Sequence, residues 1–86
     1  MIKPTIGRVV LVRPLGVDGP TWPGLVCHVW DDRLINVAGF NSNGEPFGIT
    51  SITLLQDDDV VAADLPVCEW MPYQIGQAKK YETAGD

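Results

Sequence analysis

The spacing of the residues that break regular structure limits the fold of this chain more than any other feature. Clusters of Gly, Pro, Asn and Asp return about every eight to twelve residues, and no segment keeps a helical period of apolar residues. Short segments rich in β-branched and aromatic residues, bounded in this way, are typical of the strands of a small barrel or sandwich. The sequence therefore predicts an all-β domain.

Five strands and one long loop follow from this division. The predicted strands are 7–13, 24–30, 33–40, 47–56 and 67–70. The continuous apolar middle of the first strand fits a buried strand of a closed barrel. Three prolines and three glycines make 14–24 a loop, and Asn41-Ser42-Asn43-Gly44 is the clearest hairpin turn.

The order of these elements predicts a small five-stranded SH3-like barrel over residues 1–78, with a long loop between strands 1 and 2. Residues 60–66 are expected to form a turn or short helix. Residues 74–81 are a second candidate helix, able to lie against a partner. The polar residues 79–86 are expected to form a flexible C-terminal tail.

The second predicted strand can be read with either face inward. Side chains alternate across a strand, so one face carries Leu25, Cys27 and Val29 while the other carries His28 and Trp30, together with Val26. If the first face is buried, His28 and Trp30 are displayed together, as at an interface. If the second face is buried, Trp30 is a core residue. The sequence leaves both alternatives open.

Charge and composition exclude several classes of function. The chain has 86 residues and a formal net charge of −5, and its six basic residues are scattered, which disfavours nucleic acid as a partner. Neither a signal peptide nor a membrane segment is recognisable. Cys27 and Cys68 are expected to be reduced, buried thiols of a cytoplasmic protein.

The sequence carries no recognisable catalytic or metal-binding pattern, so we expect no enzyme, no cofactor and no metal. His28 is the only histidine and has no acid or base at a strand-compatible spacing to orient it. Zinc binding by Cys27, His28 and Cys68 with Asp31 is disfavoured, because adjacent strand residues point to opposite faces. The acidic run Asp57-Asp58-Asp59 lacks the ligand spacing of a calcium loop.

Aromatic residues are the remaining candidates for a binding site. Trp22 lies in the long loop, and Trp70 and Tyr73 flank Met71-Pro72, so in an SH3-like barrel these three could line one groove. The alternative is that Trp70 closes the core and Tyr73 covers it. Together with His28 and Trp30, these residues form the predicted contact surface.

Several segments resemble a family of small proteins, without an assigned activity, that tailed bacteriophages and prophages encode. They are His28-Val29-Trp30-Asp31-Asp32, Asn36, Thr50-Ser51-Ile52-Thr53-Leu54 and, most distinctively, Cys68 to Ala78 with the sequence CEWMPYQIGQA. The resemblance covers Thr5 to Ala78 and implies synthesis in an infected bacterium, with the protein in the host cytoplasm or in the virion.

Two functions suit such a setting. The first is a non-enzymatic binding module that contacts a host or phage protein or captures a small ligand, with interference with host defence as one use of such binding. Self-association is expected with it, because it would help to stabilise so small a core. The second is a structural subunit of the virion, as a head or tail accessory protein.

Overall fold

The computed structural model describes residues 1–57, 59 and 65–77, and its strands form one closed barrel. The strands are β1 (Val9–Arg13), β2 (Trp22–Asp31), β3 (Leu34–Phe40), β4 (Pro46–Leu55) and β5 (Val67–Glu69). They pair in chain order, and β5 closes the barrel against β1. All pairs are antiparallel except β4 with β5. The predicted all-β fold is confirmed, and the strand order is consistent with an SH3-like barrel.

Alternation along the strands places one set of apolar side chains inside the barrel. The buried core consists of Val10, Val12, Val26, Ile35, Val37, Ile52, Leu54, Val67, Cys68 and Trp70. β1 is fully buried on one face only, since Val10 and Val12 are buried whereas Val9 is 40% exposed and Leu11 is partly buried. The prediction that its whole apolar run is buried is wrong, because the outer face of this small barrel carries no second layer among the described residues.

A bulge in β2 explains why the strand could not be oriented from its sequence. The register moves from Val26 opposite Val37 to His28 opposite Asn36, so Cys27 is an extra residue in β2. A further shift, from Val29 opposite Ile35 to Asp31 opposite Leu34, makes Trp30 a second extra residue. Val26 therefore faces the core, and Val29, three residues later, packs against the core too. Neither predicted alternative describes the whole strand.

The outer surface of β2 collects the remaining side chains of the bulged segment. Leu25, Cys27, His28 and Trp30 are all exposed. The expectation of two buried cysteines is thus wrong for Cys27, which the bulge turns outward. Both cysteines are free thiols, and Cys68 is fully buried.

A bulge in β4 lies directly across β3 from the β2 bulge at Cys27. Ile35 pairs with Ile52 and Val37 pairs with Ile49, so Asn36 alone in β3 faces both Thr50 and Ser51 of β4. Ile49 and Ile52 both pack on the core, and the intervening Ser51 takes a φ of 54°. A positive φ is uncommon outside glycine, which makes this a further local departure from strand alternation.

The predicted hairpin turn between β3 and β4 is present. The Asn41 side-chain Oδ1 accepts hydrogen bonds from the backbone N–H groups of Asn43 and Glu45, at 2.9 and 3.0 Å. Gly44 has a φ of 78°, a conformation that glycine adopts without steric cost. The turn therefore forms through local contacts that the sequence specifies.

A buried glutamine closes the barrel at the end of β4. The Gln56 Oε1 accepts hydrogen bonds from the Trp70 indole Nε1 at 3.1 Å and from the Ile2 backbone N at 3.2 Å. Its Nε2 donates to the carbonyls of Ile2 and Asp32, at 2.7 and 2.9 Å. One side chain, 1% exposed, thus joins the N-terminal segment, the β2–β3 turn and the residue after β5.

Charged pairs reinforce both sides of this closure. The Arg33 Nε lies 2.7 Å from the Asp59 Oδ2, and this hydrogen bond, with a further one from the Gln56 backbone, lowers the pKa of Asp59. The Arg13 guanidinium contacts Glu69 at 2.7 Å between β1 and β5. Both pairs are partly exposed, so each adds little free energy by itself.

Residues 72–77, the last described residues, are helical and form α1 after β5. It overlaps the start of the predicted helix 74–81, and the Gln74 Nε2 donates to the Val9 carbonyl at 3.0 Å, which fastens it to β1. The predicted turn over 60–66 lies mostly outside the described residues, and the predicted tail 79–86 lies outside them entirely.

Replacing Gln56 by leucine tests the role of the buried amide. Gln56→Leu has a similar volume but leaves the Trp70 indole and the bonded backbone groups without a partner, so we expect a loss of about 2–4 kcal/mol in the free energy of unfolding. The matched control is Gln74→Leu, at a partly exposed glutamine, which should lose about 1 kcal/mol or less. Urea unfolding monitored by circular dichroism measures both, and equal losses would contradict this role.

The two cysteines should differ in reactivity toward a thiol reagent. Burial raises the pKa of Cys68 to about 12, whereas Cys27 is exposed. We expect one thiol to react with Ellman's reagent in the native protein and two to react in denaturant. Cys27→Ser should abolish the native reaction, and Cys68→Ser should leave it unchanged. A native reaction that persists in Cys27→Ser would contradict the burial of Cys68.

Candidate binding surface

An apolar groove of about 330 Å³ crosses the outer face of the barrel from β1 to β4. It is lined by Val9, Pro23, Gly24, Leu25, Ala38, Gly39, Phe40, Pro46 and Phe47. None of these side chains carries a charge, a hydroxyl or an amide. The groove can accept an apolar group, but its side chains offer no partner to a polar ligand.

Small residues on the two central strands form the floor of this groove. Gly24 of β2 pairs with Gly39 of β3, and a Cβ added at Gly39 would overlap the carbonyl oxygen of Pro23. Ala38, the next residue on β3, pairs with Leu25. Ala38 has only a methyl group between the larger Leu25 and Phe40, and the backbones of Gly24 and Gly39 complete the floor. A Cβ at Gly24 would meet the buried Val12 side chain, so this glycine leaves no gap on the outer face.

Large exposed residues form the walls. Val9 pairs with Leu25 on one side, and Phe40 pairs with Pro46 on the other. Leu25 and Phe40 are 48% and 55% exposed, which is high for side chains of their size. Exposed apolar residues that are contiguous, rather than scattered, mark interaction sites on soluble proteins.

Trp30 lies on the same outer surface, beyond the β2 bulge. Its ring is 58% exposed and meets the His28 ring edge-on, with centroids 4.4 Å apart and an interplanar angle of 75°. The indole Nε1 donates to the Asn36 Oδ1 at 3.0 Å. The indole is therefore held in place although most of its surface faces solvent.

Asn36 connects this aromatic pair to the two bulges. It lies opposite His28 of β2, and its Oδ1 also accepts a hydrogen bond at 2.7 Å from the backbone N–H of Ser51, in the bulge of β4. The Asn36 Oδ1 thus accepts hydrogen bonds both from the backbone N–H of Ser51, at positive φ, and from the exposed indole of Trp30. Asn36, Ala38 and Phe40 alternate along β3, so the Trp30 contact and the groove share one outer face.

The structure separates the residues that the sequence grouped into a groove. Trp70 is 4% exposed and belongs to the core, which corrects its prediction as a surface residue and agrees with the alternative that it closes the barrel. Trp22 begins β2, which corrects its prediction as a loop residue; it is half-buried and packs at a tilt of 58° against the groove residue Phe47, with centroids 5.2 Å apart. Tyr73 is 72% exposed on α1 and does not line the groove.

The sequence analysis predicted none of the nine residues that line the groove as site residues. Leu25 and Phe40 are ordinary strand residues in the sequence, and their exposure depends on which face of each strand is buried. The available signal was the presence of three small residues, Gly24, Ala38 and Gly39, within two predicted strands, because glycine inside a strand often marks a close approach of another backbone or a ligand. Phe40 and Pro46, on either side of the predicted turn, were a second indication of an apolar surface.

Comparisons with known proteins add no assignment: no protein-family model, curated protein or solved structure matches the chain. Among the described residues, no helix is long and apolar enough to cross a membrane. The same residues contain no cluster of three His, Cys, Asp or Glu side chains arranged to hold a metal ion. The fold and the apolar surface thus define a small β-barrel with an exposed apolar groove.

Removing the Asn36 side chain should loosen Trp30 and the β4 bulge together. Asn36→Ala loses both accepted hydrogen bonds, and we expect a loss of about 1–2 kcal/mol in stability and faster exchange of the Trp30 indole proton. Asn36→Asp keeps an acceptor oxygen and should retain slow exchange. Proton–nitrogen NMR spectra resolve the indole signals, and equal exchange in the two variants would contradict the role of Asn36.

Proposed function

We propose that this protein is a non-enzymatic binding module that engages another folded protein through the groove between Leu25 and Phe40. The exposed, charge-free groove carries the proposal. Its walls are large side chains that would otherwise be exposed to water at a free-energy cost of about 25 cal/mol per Å². A partner that covers them gains this free energy.

The chemistry of the groove favours a protein over a polar small molecule. A nucleotide or sugar needs hydrogen-bond donors or charges in its site, and the nine lining residues have no such side chains. An extended peptide also needs donors and acceptors for its backbone. A projecting apolar side chain from a folded surface needs neither, because its own backbone is already hydrogen-bonded.

The proposed setting is a bacterium infected by a tailed phage. It rests on the resemblance of the block Cys68 to Ala78 and its companion segments to proteins of such phages. The partner in this setting is a host or phage protein, and interference with host defence is one use of such binding. Incorporation into the virion is the alternative that the same experiment distinguishes.

The groove can be tested by site-specific crosslinking during infection. A photoreactive phenylalanine analogue at position 40 should crosslink to one defined protein in the wild-type background. Leu25→Glu places a charge in the groove and should reduce the yield by about tenfold or more, because an unpaired charge is costly to bury. The matched control is Leu15→Glu at an exposed leucine that does not line the groove, and it should leave the yield unchanged.

The outcomes separate the functions. A crosslink to a cellular protein or to a second copy of this chain that disappears only with Leu25→Glu supports the binding module. A crosslink to a head or tail protein that stays with purified particles would assign the chain to the virion. Absence of any crosslink at position 40, or equal yields in both leucine variants, would contradict the use of the groove.

A further inference from the structure

We propose that the groove binds Trp30 of a second copy of this chain, in a two-fold dimer in which each subunit inserts its Trp30 into the groove of the other. The inference rests on the proposed function, since it names the partner of the same groove. It follows from three properties of the outer face of β2 and β3: the chemistry of the exposed indole, the size of the groove, and the position of both on one face.

The exposed indole is chemically matched to a groove without polar side chains. A tryptophan that enters an apolar site must satisfy its N–H, and here the Asn36 Oδ1 of the same subunit already accepts it at 3.0 Å. The part of the ring that remains exposed is apolar. Trp30 can therefore be buried without leaving an unsatisfied donor, which would cost about 1–3 kcal/mol.

The indole is also fixed before it binds. The hydrogen bond to Asn36 and the edge contact with His28 at 4.4 Å leave the ring few alternative rotamers. Ordering a free side chain at an interface costs about 0.5–1.5 kcal/mol. For Trp30, most of this loss of conformational entropy already occurs in the monomer. A solvent-exposed aromatic held in this way is preorganised for contact.

The groove is large enough for this ring. Its volume of about 330 Å³ is roughly twice that of a 150 Å³ cavity that admits benzene, so the larger indole fits. Neither the groove lining nor the hydrogen-bond and ring contacts of Trp30 include an acidic side chain. Asp31 and Asp32 beside Trp30, and Glu45 beside the groove, are exposed, so carboxylates stand at the rim of the apolar contact and outside its centre.

The position of both features on one face permits a closed dimer. A two-fold axis makes each contact occur twice, with residue i of one subunit against residue j of the other. On the outer face of β2 and β3, the groove lies at the end of Leu25 and Ala38. The inserted ring of Trp30 lies at the other end, beside Asn36. Every subunit then has its groove filled and its Trp30 covered.

The length of β2 matches such an interface in one direction. A stable dimer of standard size buries about 800 Å² per subunit, which corresponds to a patch about 32 Å across. β2 has ten residues and spans about 33 Å at 3.3 Å per residue. A contact along the whole of β2 therefore has the diameter of such a patch in the strand direction.

Complementation between two variants tests the reciprocal insertion. Trp30→Ala lacks the inserted ring but keeps the groove, whereas Leu25→Glu keeps the ring but has a charged groove. We expect the wild type and the Leu15→Glu control to be dimers, and each variant alone to be a monomer with a dissociation constant raised about 30-fold or more, the scale of an interface hot spot.

An equimolar mixture of the two variants should form a heterodimer, because one of the two reciprocal contacts is intact in it. Native mass spectrometry resolves this species by mass, and sedimentation equilibrium gives its affinity. Circular dichroism checks that both variants are folded. If Trp30→Ala does not fold, Leu25→Glu mixed with the wild type tests the same contact, since that heterodimer also keeps one insertion.

Three results would overturn the dimer: a wild type that is monomeric at its highest soluble concentration, a Trp30→Ala variant that dimerises like the wild type, or a variant mixture that does not associate. If the wild type is monomeric while Leu25→Glu still abolishes the crosslink during infection, the groove binds a different protein. In that case the binding function stands and the second copy is excluded as its occupant.

Discussion

The barrel depends on the buried side chain of Gln56. β5 has only three residues and must close the sheet between β1 and β4, so it has few ladder hydrogen bonds of its own. Gln56, directly after β4, binds the indole of Trp70, directly after β5, and both backbone groups of Ile2. A polar group in this position is stabilising only because all its hydrogen-bonding capacity is used. The hydrogen bonds of Gln56 thereby hold both the N-terminal segment and the last strand to the end of β4.

The outer face of the barrel depends on two bulges that lie across β3 from each other. Each bulge adds one residue to the neighbouring strand, so inward positions follow each other at an interval of three instead of two. Asn36 lies between them and uses one side-chain oxygen for Ser51 and for Trp30. The irregularity that shapes the fold thus also holds an exposed aromatic ring, and this links the structure to the proposed binding surface.

The strands and the hairpin turn could be predicted because their signals are local. Asn41 and Gly44 specify a turn through their own hydrogen bonds and backbone freedom, and β-branched runs specify extended structure. The groove could not be predicted in the same way. Leu25 lines it only because Val26 faces inward, and Ala38 forms its floor only because Gly24 and Gly39 bring two backbones together. Trp70 was misplaced for a related reason, since its burial depends on Gln56.

The sequence by itself therefore determined the all-β class, the order of the strands and the position of the main hairpin. It also determined that His28 lacks a catalytic partner nearby in the chain. Only the tertiary structure decided which side chains of β2 face the core, because a bulge is defined by the register against a partner strand and not by the strand's own residues. That register turned Leu25 and Trp30 outward together, and it is the physical reason that this small barrel has an apolar groove and an ordered, exposed indole on one face.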